Sequence, residues 1–192
     1  MAASWSPFFL DRGNVNQASL EIFDANTLVN VMDGYLSTPF GSIRVRASDN
    51  EILEVTFSKE TARDNFPKDS IVSNFFKQIR LYFANPKSTF SIDYRANGTS
   101  FRERVWHEIS LIPSGSTRTY GQIANKLGSS ARAVGTACGD NPVPLIIPCH
   151  RVVAKSGIGG FNHSIDHFEK SVKLWLLNHE RAVINEKTGR SV

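Results

Sequence analysis

Cys149 and His150 adjoin in the run Pro148-Cys149-His150-Arg151-Val152, directly after the apolar residues Leu145-Ile146-Ile147. A thiol beside an imidazole is a candidate nucleophile with its own base. The thiolate is the reactive form, and a free cysteine of pKa about 8.5 is mostly protonated at neutral pH, so nucleophilic chemistry needs a group that draws off the proton. His150 is the nearest such group. The competing reading is an inert core thiol, because cysteines behind aliphatic residues are usually structural. His163 and His167 stand one helical turn apart, but no further ligand accompanies them, so no metal site is expected.

These residues need a scaffold, and the composition bounds it. The chain has 192 residues, 41% hydrophobic and 21% charged, which suits one large or two small globular domains. Two cysteines, Cys138 and Cys149, cannot form a disulfide framework and point to a reducing compartment. Neither a secretion signal nor a membrane-spanning run is expected, since Asp11-Arg12 cuts short the first apolar patch. Residues 1–99 hold 10 Lys and Arg against 11 Asp and Glu, net −1, whereas residues 100–192 hold 12 against 7, net +5. The positive charge therefore lies in the Cys149 half, the footprint of a polyanion-binding domain.

Residues 1–28 show no periodicity and are expected to be an extension of uncertain order. Val29 to Leu36, Ser42 to Ala47 and Ile52 to Phe57 predict three short strands, Ile71 to Phe83 predicts a helix ended by Asn85-Pro86, and Phe90 to Tyr94 predicts a further strand. Ala96 to Thr99 reads as a linker. Beyond it Ser100 is expected to cap a helix through Ile109. Thr119 is expected to cap Tyr120 to Leu127, and Ser130 to cap Ala131 to Cys138, with Gly128 between them in the left-handed region. That pair is a helix-turn-helix candidate. A closing helix spans Asp166 to His179, with Glu180 at its end. The second helix of the pair offers little to base edges: Ser130, Ala131, Ala133 and Gly135 are small, and Arg132 is its one long group. Direct major-groove reading is unsuited to it; a close backbone approach in the minor groove, with Arg132 entering the base stack, suits it better.

Arg132-Ala133-Val134-Gly135, Asn141-Pro142-Val143-Pro144, Ile147-Pro148-Cys149-His150-Arg151-Val152 and Trp175-Leu176-Leu177-Asn178-His179-Glu180 together resemble the O(6)-alkylguanine-DNA alkyltransferases over about residues 98–182. The resemblance implies an α+β fold class. It would combine a small three-layer-like amino-terminal α/β domain, RNase H-like, over 29–97 with a mostly helical, winged helix-turn-helix domain over 98–184, and a tail over 185–192. It further implies suicidal DNA repair by a methylated-DNA–protein-cysteine methyltransferase that uses no cofactor. A flipped O(6)-alkylguanine, or O(4)-alkylthymine, would give its alkyl group irreversibly to Cys149.

By the same resemblance His150 accepts the Cys149 proton through a water, Glu180 orients His150, and Asn141 is the hinge between helix and active-site loop. Tyr120 presses on the target phosphate, Arg132 fills the vacated stack, and the carbonyls of Cys149 and Val152 face the guanine amino group. Gly160, Phe161 and Asn162 line the substrate pocket. Phe161 replaces the family's usual tyrosine, which removes a phenolic donor to the base while leaving a ring to stack on it, and residues 162–168 form a longer loop than usual. The implied partner is double-stranded DNA carrying the lesion, bound by a monomer in the cytoplasm, or in the nucleus of a eukaryote, with no membrane; cooperativity is left open. The rival readings are a lesion-binding sensor that recruits other repair proteins and a cysteine hydrolase.

Overall fold

The computed structural model describes residues 19–24, 27–162 and 167–181. Residues 1–18 of the expected extension, His163 with the rest of 163–166, and the tail lie outside the described residues. Strands β1 (Ser19–Asp24), β2 (Thr27–Thr38), β3 (Gly41–Ala47) and β4 (Ile52–Ser58) form an antiparallel meander in that order. The last three are the expected strands. β1 and the start of β2 are not: they occupy 19–28, where an extension of uncertain order was expected. Alternation there is too short to read, and pairing between the two backbones supplies the regularity.

Helix α1 (Ile71–Ala84) starts at Ser70, whose hydroxyl accepts from Ser73 N at 3.1 Å. Its apolar face, Val72, Phe75, Phe76, Ile79 and Tyr82, is buried against β2 and β3. Gly34 makes that approach possible, since a Cβ there would stand 2.5 Å from Val72 Cγ1. The expected strand over Phe90–Tyr94 does not form. Gln78 of α1 takes both main-chain groups of Ser91, donating to its carbonyl at 2.9 Å and accepting from its N–H at 2.8 Å. Only Tyr94 makes a single parallel bridge, to Ile52.

The second half begins with helix α2 (Ser100–Ser110), capped by Thr99 rather than Ser100. Thr99 is extended and its hydroxyl accepts from Arg102 N, whereas Ser100 is already helical. A two-residue strand β5 (Arg118–Thr119) leads into α3 (Tyr120–Leu127), where Thr119 and Gln122 form a reciprocal capping box. Gly128 ends α3 at φ 62°, and Ser130 caps α4 (Ala131–Gly139). This is the helix-turn-helix. Cys149–Arg151 make one 3-10 turn, followed by β6 (Val152–Val153), which pairs in parallel with β5. Helix α5 (His167–His179) closes the fold.

The two halves share one apolar core. Phe40 and Phe83 from the first half pack edge-on against Trp175 of α5, and Phe57 of β4 stacks on Phe161 with centroids 5.8 Å apart. Polar ties cross as well: Val55 N donates to Pro142 O at 2.9 Å, and Tyr82 OH donates to Glu180. Among the described residues no helix is long and apolar enough to cross a membrane.

Candidate active site

Cys149 is held by the tight turn that follows Pro148, its N–H donating to Ile147 O at 2.8 Å. The residue is 2% exposed and its thiol faces a cavity of about 640 Å³. Tyr120, Arg132, Gly135, Cys138, Phe161 and Asn162 help to line that cavity, so residues from α3, α4 and the Gly160 loop meet at the sulfur. Asn141 joins the pieces. Its amide donates to Ile147 O at 2.8 Å and to Cys149 Sγ at 3.2 Å, while its carbonyl oxygen accepts from Val143 N at 3.1 Å. The bond to sulfur adds to the expected hinge role. Burial pushes the Cys149 thiol up, and the Asn141 hydrogen bond and the Lys173 charge oppose it.

His150 Nε2 lies 3.0 Å from Glu180 Oε1, and both side chains are buried. Burial works to raise the Glu180 carboxyl, but hydrogen bonds from His150 and Arg151 outweigh it and hold the group well below the usual carboxylate range. Since a carboxylate only accepts, His150 carries its proton on Nε2. Its other nitrogen, Nδ1, is buried and has no hydrogen-bond partner among the described residues. Burial also pushes the imidazole down, against the pull of Glu180, which favours the neutral ring with its lone pair on Nδ1. No direct thiol–imidazole hydrogen bond is present among the described residues.

Three partners of Glu180 were not visible in the sequence. Arg151 grips it through Nε at 3.1 and 3.2 Å and Nη2 at 2.7 Å. Tyr82 OH donates at 2.9 Å and Gly115 N at 3.3 Å. Arg151 lies inside the motif already singled out, but nothing in its spacing marks it as the carboxylate's clamp. Lys173 was missed too. It is fully buried, and its Nζ donates to Val152 O at 2.6 Å, Gly160 O at 2.8 Å and Tyr120 OH at 3.4 Å. Its place three and four residues before Leu176 and Leu177, both buried, could have put it on the inner face of α5.

On α4, Ala131, Arg132 and Thr136 are exposed, Ala133 and Gly135 are half-buried, and Val134, Ala137 and Cys138 face the core. A Cβ at Gly135 would meet nothing within 4 Å. The Arg132 guanidinium has no hydrogen bond or ion pair among the described residues. Ser130 serves as the cap, with its hydroxyl accepting from Ala133 N at 3.2 Å. Phe161 differs from expectation. It lines the cavity, yet it is 5% exposed and one face is already stacked on Phe57. Asn162, in the left-handed region at φ 46°, donates to Glu169 at 3.1 Å. Tyr120 lines the same cavity, and its OH donates to Gly160 O at 3.2 Å.

A buried cysteine lining a cavity beside the exposed face of a helix-turn-helix brings a thiol and a DNA-binding type of motif to one place. Residues 31–95 match the 6-O-methylguanine DNA methyltransferase ribonuclease-like domain, and residues 100–182 match the DNA binding domain of the same name. The chain belongs to the 6-O-methylguanine DNA methyltransferase family. It is 37% identical over 142 residues to a methylated-DNA–protein-cysteine methyltransferase of Metallosphaera sedula, covering 73% of this chain and 90% of that protein. The protein of that name from Sulfolobus acidocaldarius is 35% identical over 153 residues, 80% of this chain and 98% of the relative. Among solved structures, the Mycobacterium tuberculosis O6-methylguanine methyltransferase superposes with a TM-score of 0.67 at 30% identity, covering 79% of this chain and 93% of that one. The same organism's OGT in complex with DNA gives a TM-score of 0.63 at 32% identity, over 77% and 91% of the two chains.

Proposed function

We propose that this chain is a methylated-DNA–protein-cysteine methyltransferase that repairs O(6)-alkylguanine in double-stranded DNA by taking the alkyl group onto Cys149, once per molecule. The reading is carried by the burial of Cys149 at 2% exposure in a cavity that opens beside α4. A base still stacked in a duplex cannot reach such a sulfur, so the target nucleotide must leave the stack and enter the cavity. The small residues Ala131, Ala133 and Gly135 let the α4 backbone approach the minor groove, and the unpaired Arg132 fills the gap left behind.

Within the cavity the His150 lone pair at Nδ1 takes the Cys149 proton through a water, while Glu180, held by Arg151 and Tyr82, fixes the imidazole. The thiolate then attacks the alkyl carbon, the C–S bond forms as the C–O bond breaks, and the electron pair departs with the guanine oxygen. Burial raises the Tyr120 phenol, so it stays protonated, and its one O–H turns from Gly160 O to donate to the base as charge develops. The carbonyls of Cys149 and Val152 accept from the guanine amino group. A thioether is a poor leaving group, which makes the transfer irreversible and the protein spent. O(4)-alkylthymine presents the same ether linkage and is a second substrate.

Duplex DNA carrying radiolabelled O(6)-methylguanine, followed by peptide mapping of the wild type and Cys149→Ala, tests this reading. Label on the Cys149 peptide and none in the variant is the expected result. Tight lesion binding without transfer would leave a sensor instead.

A further inference from the structure

One buried positive charge in the site has no ion-pair partner among the described residues. Glu180 is paired with Arg151, at 2.7 Å, and burial favours a neutral His150. Lys173, buried at 0% exposure on α5, has no carboxylate within ion-pair distance among the described residues. Its three N–H donors meet three neutral acceptors: Val152 O at 2.6 Å, Gly160 O at 2.8 Å and Tyr120 OH at 3.4 Å. Three donors fit an ammonium and not an amine, and the two short bonds have the length of charge-assisted ones. A buried ammonium without a countercharge is costly. Gly160 and Tyr120, two of its three anchors, line the Cys149 cavity, and Val152 lies three residues beyond the cysteine.

We propose that Lys173 is the resident counter-ion of the Cys149 thiolate, a positioning residue that holds one positive charge behind the cavity wall. It rests on the reading of Cys149 as the nucleophile. The groups that act on Lys173 are Cys149 and Cys138, with burial pushing the ammonium down to about 8 and both thiolates opposing that. At Cys149 burial is the largest influence and pushes the thiol up, Asn141 and Lys173 favour the thiolate, and Glu169 of α5 disfavours it. His150, paired with Glu180 and pushed down by burial, is also pushed down by the Arg151 and Lys173 charges. With the thiolate formed, the Lys173 and Cys149 charges cancel. When the sulfur is alkylated that balance is lost, and the ammonium is left alone in the interior.

The test uses the full chain without DNA, in a Cys138→Ala background so that a single thiol is read. Cys149 ionisation is followed by thiolate ultraviolet absorbance and by iodoacetamide labelling across pH. Lys173→Met should move the Cys149 midpoint up by at least about one pH unit, slowing labelling roughly tenfold below it, with the rates converging at high pH. A midpoint and labelling rate equal to those of the parent would overturn the proposal. If Lys173→Met does not fold, the reciprocal measurement stands alone. Lysine-selective carbon NMR of Cys149→Ser should show the Lys173 titration shifted down, because coupling between two sites is mutual; an unshifted titration would overturn it. Neither arm involves transfer from DNA. A Cys149 that answers to Lys173 yet takes no alkyl group would leave this inference standing and remove the functional reading.

Discussion

Asn141 Nδ2 lies 3.2 Å from Cys149 Sγ and 2.8 Å from Ile147 O, so one amide binds the reactive sulfur to the chain that leads into it. A hydrogen bond to a charged acceptor contributes about 1.5–3 kcal/mol. Asn141→Ala is expected to slow Cys149 labelling by iodoacetamide roughly tenfold or more at neutral pH and to lower stability by about 1–3 kcal/mol. A labelling profile unchanged across pH would show that the amide serves the loop alone.

Glu180 gives a prediction with a sign. Its folded-state value lies below the ordinary 4.5, so the folded protein binds fewer protons than the unfolded chain in the window beneath that pH. The stabilisation is full above 4.5 and is lost as pH falls through that window toward the folded value. Denaturant unfolding of wild type and Glu180→Gln should differ most near neutral pH, the variant being weaker, and converge as pH is lowered toward 3 (roughly the lower end of carboxylate titration). A gap that stays constant with pH would contradict the paired carboxylate.

Much of this site was legible in the chain. The order of Arg132, Asn141, Cys149 and Glu180 along the sequence, with caps at Thr119 and Ser130, located the helix pair and the cysteine that lines the cavity, because caps and short motifs are local properties. Lys173, Arg151 and Tyr82 were not legible as site residues, because their roles depend on contacts formed only when α1 and α5 close on the turn at Cys149. Tyr82 and Glu180 are 98 positions apart and meet at 2.9 Å. The expected strand at Phe90–Tyr94 failed for a related reason, since a side chain of α1 captured Ser91's main-chain groups. The stacking of Phe161 on Phe57 was not legible either, because Phe57 stands on a strand of the other half.

Arg132 separates lesion access from chemistry. Extruding a base costs a few kcal/mol, which a side chain in the vacated stack offsets. Arg132→Ala should therefore reduce methyl transfer from duplex DNA by about tenfold or more, while iodoacetamide labelling of Cys149 stays at the wild-type rate. Equal losses in both assays would place Arg132 in the folding of the site and not in the handling of DNA.

Gly135 makes the opposite trade. An added Cβ meets nothing within 4 Å, so Gly135→Ala should raise stability by about 0.5–1 kcal/mol through helix propensity. On the proposed reading the same methyl faces the duplex and should weaken its binding. Thermal unfolding and fluorescence anisotropy of one preparation check both signs. Unweakened DNA binding would mean that α4 does not approach the duplex closely.

The most direct measurement is the intact mass of the protein after incubation with a large excess of duplex DNA containing O(6)-methylguanine. The expected result is a gain of a single methyl group per chain, located on Cys149, with repaired guanine in the DNA in equal amount and no further reaction. More repaired guanines than protein molecules, or repair without any gain in mass, would contradict transfer to the cysteine.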